Sequence, residues 1–271
     1  ENYIGLHFFS PVDKMPLVEI IRGEQTSDAA LAKAFDFVLQ IRKTPIVVND
    51  SRGFFTSRVF GTFTFEGIAM LGEGYHPLSI EQAALQAGMP IGPLALLDET
   101  TLQLGYDVMQ STKKELGDAY QPSGTEDFME LMVVKLGRKG RRFGSGFYDY
   151  DDKGERLGLW QGMAEHYPLA KDQPSVEEVK QRLLYIQLIA TAQCFEEKVV
   201  KDPQSADLGA IFGWGFAPYT GGPMSYIDTV GLENFVRTAD NLAQRFGNRF
   251  APPKSFRDMA DKGETLYKAA A

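Results

Sequence analysis

The chain begins with two short apolar runs, Tyr3-Ile4-Gly5-Leu6-His7-Phe8-Phe9 and Leu17-Val18-Glu19-Ile20-Ile21, on either side of the turn-forming stretch Ser10-Pro11-Val12-Asp13-Lys14-Met15-Pro16. Short apolar runs bounded by turn residues predict strands. The link is too short for a parallel crossover, which needs a dozen or more residues, so the two strands are expected to be antiparallel neighbours. Ser27 is placed to cap a helix in which Leu31, Ala34, Phe35, Val38 and Leu39 follow the 3.6-residue period, and Thr44 to Val48 reads as a buried strand. This strand-strand-helix-strand unit has the pattern of the tail of a Rossmann sheet. The polar, turn-prone residues 49–53 place a domain boundary after it.

From Phe54 the apolar period becomes helical. Phe55, Val59, Phe63, Gly67 and Met70 line one face of a long helix. Further helices are expected from Ser79 to Gly88, from Pro93 to about Leu116, and from Phe128 to Leu136, closed by the glycine- and arginine-rich segment Gly137 to Tyr148. Residues 151–174, charged and spaced by prolines, predict a surface linker with a short helix around Trp160. The chain then repeats itself. Arg58 matches Arg182 and Glu73 matches Glu197 at an offset of 124, while Gly92-Pro93 matches Gly222-Pro223 and Asp98 matches Asp228 at an offset of 130. A small insertion within Phe212 to Gly221 accounts for the change. The second copy has its own stripe, Val179, Leu183, Ile186, Ala190 and Cys194, and helices near 205–213, 223–245 and 255–268. The fold class predicted is mainly α. A C-terminal portion of a Rossmann α/β domain over residues 1–51 precedes two tandem, related all-helical domains over 52–150 and 175–271, joined by the linker 151–174.

Each of the first two strands is interrupted by one ionisable residue, His7 and Glu19. If the turn is symmetric about Asp13, residues whose numbers sum to 26 face each other, and 7 and 19 do. Directly opposed residues have Cβ atoms roughly 4.5–5.5 Å apart, within reach for an imidazole to donate to a carboxylate. A slip of one residue would put them on opposite faces. On the pattern alone, a satisfied core histidine beside an outward-facing edge glutamate is an equal alternative.

The stretch Gly5-Leu6-His7-Phe8-Phe9-Ser10-Pro11, followed by Leu17-Val18-Glu19-Ile20-Ile21, resembles the histidine and glutamate segment of the 3-hydroxyacyl-CoA dehydrogenase family. Asp50-Ser51-Arg52-Gly53-Phe54-Phe55-Thr56-Ser57-Arg58 and Gly88-Met89-Pro90-Ile91-Gly92-Pro93 extend the likeness, and the tandem helical domains resemble the multifunctional members of the fatty-acid oxidation complex. The resemblance implies oxidation of the 3-hydroxyl of a 3-hydroxyacyl-CoA with NAD as cofactor, His7 acting as acid/base and Glu19 orienting it. Histidine suits that task because its proton affinity lies near neutrality. The resemblance also implies substrate contacts from Ser57 and Phe212 and cofactor contacts from Ser10 and Lys139. Ser57 stands where the family usually has asparagine, and a hydroxyl donates and accepts but reaches less far than an amide. An ordinary first-turn helix residue at Ser57, and a solvated basic loop of Arg138, Lys139, Arg141 and Arg142, are the plain alternatives. A hydratase/isomerase domain upstream, a thiolase partner and a homodimer complete what the family implies. The competing reading is a non-catalytic helical module for docking or dimerisation.

Composition narrows the field further. The 271 residues carry a net charge of -8 and no basic block, which excludes the electrostatic footprint of a nucleic-acid protein. One cysteine rules out an internal disulfide, and with three scattered histidines it forms no metal-binding cluster, so a reducing, cytoplasmic setting is expected. No apolar run approaches the roughly 20 residues of a membrane span, and no signal segment opens the chain. The Gly-x-Gly-x-x-Gly turn that cradles a dinucleotide pyrophosphate is absent, since Pro77 and Pro218 occupy the third positions after Gly72-Glu73-Gly74 and Gly213-Trp214-Gly215. The chain is therefore expected to be the C-terminal part of a longer protein.

Overall fold

A computed structural model describes residues 1–120 and 122–267. β1 (Gly5–Phe8) pairs antiparallel with β2 (Leu17–Arg22), and β2 pairs parallel with β3 (Thr44–Asn49), in the order β1-β2-β3. The crossover from β2 to β3 is α1 (Asp28–Gln40), where Ser27 accepts a hydrogen bond from the Ala30 amide. Ala34 and Val38 of α1 are buried against Val18 and Ile20. Phe35 and Leu39, expected on the same face, are 38% and 51% exposed. Each lies one residue, about 100°, further round the helix, beyond the strip that meets the sheet.

Helices α2 (Thr56–Gly72), α3 (Pro77–Gln86), α4 (Pro93–Thr100), α5 (Leu102–Leu116) and α6 (Glu126–Glu130) follow, the last running into a π turn at Leu131–Lys135. The antiparallel pair β4 (Tyr148–Tyr150) and β5 (Arg156–Leu159) precedes α7 (Met163–His166). The remaining helices are α8 (Val176–Glu196), α9 (Pro203–Trp214), α10 (Pro223–Val230), α11 (Leu232–Phe246) and α12 (Lys254–Asp261).

Several expected boundaries move, each for a local reason. The second helix starts at Pro77 rather than after Ser79, because His76 caps it, its Nδ1 accepting from the Leu78 amide at 3.2 Å. The helix expected over 93–116 is two helices, broken at Thr101, whose φ is 70° and whose hydroxyl accepts from the Leu104 amide. Gly140 lies so close that a Cβ there would be 2.9 Å from the Asp98 carbonyl oxygen and 3.0 Å from Thr101 Cα. The helix expected over 223–245 breaks likewise at Gly231, at a φ of 85° that favours glycine. Residues 151–174 are more ordered than a surface linker: they contain β5 and α7, the Trp160 amide donates to the Phe147 carbonyl, and Met163 is buried. The helix expected over 255–268 ends at Asp261, and residues 268–271 lie outside the described residues.

The chain forms two compact units, residues 1–62, 88–90 and 184–271 in one and 63–87 and 91–183 in the other, so α2 and α8 each contribute to both. In the first unit Arg58 of α2 makes a bidentate pair with Glu197. In the second the fully buried Arg182 of α8 pairs with Glu66 and Glu73 of α2, Nε donating to Glu66 Oε1 at 2.8 Å and Nη1 to Glu73 Oε2 at 2.5 Å. Paired and hydrogen-bonded buried charges are the form in which a low-dielectric core tolerates them.

Each unit also holds a carboxylate network at a helix opened by Gly-Pro. In the second, Glu81 accepts the Leu94 and Ala95 amides and the Tyr148 hydroxyl, and Asp98 accepts the Phe147 and Tyr148 amides and the Tyr150 hydroxyl. In the first, Asp207 accepts the Met224 and Ser225 amides and the Tyr267 hydroxyl, and Asp228 accepts the Leu266 and Tyr267 amides. Proline opens each helix where its missing N–H costs nothing, and the carboxylate meets the free amides of that first turn. No helix among the described residues is long and apolar enough to cross a membrane.

Candidate active site

The alignment of β1 with β2 sets His7 directly opposite Glu19, the arrangement that symmetry about Asp13 predicts. His7 Nδ1 lies 2.7 Å from Glu19 Oε2. Glu19 is fully buried between Val18 and Ile20, whereas the His7 side chain keeps 28% of its surface. The outward-facing glutamate of the plain alternative is therefore not what the fold builds.

A carboxylate stripped of water needs donors, and the start of α2 provides them. The Phe55 and Thr56 amides donate to Oε1, both at 3.0 Å, and the Thr56 hydroxyl donates to Oε2 at 2.5 Å. Gly53 and Phe54, with φ of 74° and 49°, turn the chain into the helix so that its unpaired first amides meet Glu19. The positive end of the helix dipole adds to their effect. Together with His7 these are four donors on one buried carboxylate, which compensates its desolvation. With Nδ1–H donating to Glu19, the neutral imidazole keeps Nε2 as its acceptor. Phe9 and Phe54 flank the ring, with centroids 4.5 and 5.8 Å away.

Helix α9 seats against this cluster through two glycines. A Cβ on Gly209 would stand 2.7 Å from Ile46 Cδ1 and 3.0 Å from Phe55 Cε1. One on Gly213 would stand 3.1 Å from Leu17 Cδ2 and 3.2 Å from Thr56 Cγ2. Nearby Cys194 is buried, and burial pushes its thiol up to about 12, which makes it a poor nucleophile.

Of the remaining sequence-derived candidates, Ser10 is exposed just beyond β1, Ser57 is exposed in the first turn of α2, and Phe212 is 36% exposed on α9, next to Gly213. These three share the first compact unit with His7 and Glu19. Lys139 belongs to the second unit, half-buried, with Nζ 5.8 Å from the centre of the Phe143 ring. Of the other residues of its basic loop, Arg138 pairs with Asp149 and Arg141 with Glu99. Thr56 was not singled out by the sequence pattern. Its only signal is a hydroxyl in the first helical turn after Gly53-Phe54-Phe55, and Ser57 beside it offers the same signal.

Residues 1–51 match the sequence profile described as 3-hydroxyacyl-CoA dehydrogenase, NAD binding domain, and residues 53–150 match the one described as 3-hydroxyacyl-CoA dehydrogenase, C-terminal domain. The chain is 38% identical over 271 residues to the fatty acid oxidation complex subunit alpha of Shewanella halifaxensis, covering 98% of this chain and 37% of that protein. The corresponding subunit of Shewanella loihica is 36% identical over 278 residues, with coverage of 99% and 38%. The chain thus spans well under half the length of the curated relatives it matches. Among solved structures, the dehydrogenase part of multifunctional enzyme 1 from C. elegans is similar with a TM-score of 0.68 and 28% identity, over 94% of this chain and 59% of that one. The 3-hydroxybutyryl-CoA dehydrogenase of Escherichia coli K12 shares the fold with a TM-score of 0.73 at 20% identity, over 96% of this chain and 70% of that one.

Proposed function

The chain belongs to the 3-hydroxyacyl-CoA dehydrogenase family, and from that premise we propose that it forms the part of a longer β-oxidation enzyme that oxidises the 3-hydroxyl of a 3-hydroxyacyl-CoA to a ketone. The observation that carries this reading is the 2.7 Å contact between a partly exposed imidazole and a fully buried carboxylate. Glu19 holds His7 in the tautomer whose Nε2 is free, Nε2 takes the hydroxyl proton, and Glu19 stabilises the imidazolium that results. NAD, when bound, supplies the hydride acceptor. Ser10, exposed three residues beyond His7, fits as a cofactor contact and Lys139 as a point charge toward ribose or phosphate, while the pyrophosphate cradle is not among these 271 residues. Ser57 and Phe212 are the proposed substrate contacts.

The domain reading is part of the same proposal: 1–51 as the end of the NAD-binding domain, 52–150 and 175–271 as related helical domains, and 151–174 between them. Support comes from matching interactions. Arg58 with Glu197 mirrors Arg182 with Glu73, and Glu81, Asp98 and Tyr148 mirror Asp207, Asp228 and Tyr267. A hydratase/isomerase domain upstream, a thiolase partner, a homodimer and a cytoplasmic setting extend the reading by analogy with the relatives. The test is His7→Ala in a protein that also carries the complete NAD-binding domain. Turnover is expected to fall by about two to four orders of magnitude, as for loss of a positioned general base. Unchanged turnover in a folded variant would overturn the reading.

A further inference from the structure

We propose that the Thr56 hydroxyl is a positioning residue of the dehydrogenase, sharing the charge of Glu19 with His7 and so setting how strongly the histidine holds a proton. The proposal rests on the reading of His7 as the base. Glu19 Oε2 accepts from two side chains at once, His7 Nδ1 at 2.7 Å and Thr56 Oγ1 at 2.5 Å, while the two backbone amides occupy Oε1. The amides belong to the main chain and stay whatever residue stands at 56. The hydroxyl is the part of the cluster that side-chain chemistry can alter.

A carboxylate oxygen that accepts a hydrogen bond from a hydroxyl has less charge left for its other partner, so the Thr56 bond weakens the hold of Glu19 on the imidazolium. The ionisable groups facing Glu19 are His7 from β1 and the buried Cys194 from α8; Ile46 opposes it on β3, and Arg58 of α2 is engaged by Glu197. The orientation of Thr56 is enforced from outside β2. Its Cγ2 lies where a Cβ on Gly213 would stand 3.2 Å away, so α9 fills the space on the methyl side and Oγ1 is left facing the carboxylate. A helix remote from it in sequence thereby sets a side chain in the β2 cluster.

Thr56→Val keeps the β-branched shape and the backbone amides and puts a methyl group in place of the hydroxyl, and Thr56→Ser restores the hydroxyl. Both are compared in the protein carrying the complete NAD-binding domain. With Glu19 left entirely to His7, Thr56→Val should move the acid limb of the turnover profile up by about half a pH unit, roughly a threefold loss on that side. The plateau at higher pH and KM should stay as in the parent, and Thr56→Ser should return the limb to its place. An independent readout on the 271-residue chain itself is the ring-proton NMR titration of His7, distinguishable among only three histidines, which should move in the same direction. An unmoved limb and titration in folded Thr56→Val, alongside an inactive His7→Ala, would overturn the role of Thr56 and leave the dehydrogenase reading standing. An active His7→Ala would remove both.

Discussion

Glu19 in the first compact unit and Glu81 in the second are built alike: each is buried, accepts hydrogen bonds from two backbone amides at the opening of a helix, and accepts one from the hydroxyl of a neighbour. They differ in the fourth donor. Glu19 has the His7 imidazole in addition, whereas Glu81, among the described residues, stops at its third donor, Tyr148, whose hydroxyl burial and the adjacent carboxylate push far above its ordinary range. A buried carboxylate at a helix opening is thus a packing device that becomes a chemical one when a titratable base is set against it. Perturbation alone does not mark the site: burial raises Glu81, Asp98 and Asp207, all of which sit in networks without a base.

The comparison breaks most sharply under paired substitutions. Glu19→Gln keeps an acceptor for the amides but presents an NH2 group to His7, forcing the imidazole into the tautomer with Nε2–H. Turnover is expected to fall by about four orders of magnitude in the protein with a complete NAD-binding domain, the scale seen when a base is held in the wrong tautomer. Glu81→Gln should leave turnover per folded molecule unchanged. Retention of full activity by Glu19→Gln would place the two carboxylates in one structural class.

The packing role of Glu81 should show in stability. Glu81→Ala strands the Leu94 and Ala95 amides and the Tyr148 hydroxyl, at a cost of about 2 to 4 kcal/mol, read from urea unfolding. A loss under about 0.5 kcal/mol, the range of ordinary surface changes, would contradict the buried network.

The pH dependence of stability sharpens the contrast at smaller scale. Burial pushes Asp98 up to about 6, so the native chain holds a proton that the unfolded chain releases. The stability this group contributes is complete below about pH 4 and is lost as pH rises through about 6, at most about 3 kcal/mol. Arg58 and Arg257 hold Glu197 and Asp240 below the ordinary range, which gives the reverse slope, so the measurement is a difference. The melting temperature of the parent minus that of Asp98→Asn should fall between pH 4 and 6.5. A flat difference would show that Asp98 is not perturbed.

The smallest effect expected is that of Ser57→Asn, which lengthens an exposed side chain at the start of α2 without touching the four donors to Glu19. KM for the acyl-CoA should change severalfold, by about 1 kcal/mol of binding, with turnover nearly constant. Equal losses in turnover and turnover/KM would instead put Ser57 in the transition state.

What the sequence determined by itself was whatever depends on neighbours along the chain. Two apolar runs and a short turn point to the antiparallel pair and, if the turn is symmetric, to His7 facing Glu19, while the register and the burial of Glu19 came from the structure; Ser27 marks the start of α1, and Gly92-Pro93 and Gly222-Pro223 mark helix openings. The breaks at Thr101 and Gly231 were hidden, because the apolar period runs through both and positive φ is a property of the packed backbone. Thr56 was hidden for the same kind of reason. It lies 37 residues from Glu19, and Gly213, which leaves room for its methyl group, lies far beyond that again. Residue type and spacing specify which groups can donate; which donor reaches a buried carboxylate is decided by how α2 and α9 close over β2.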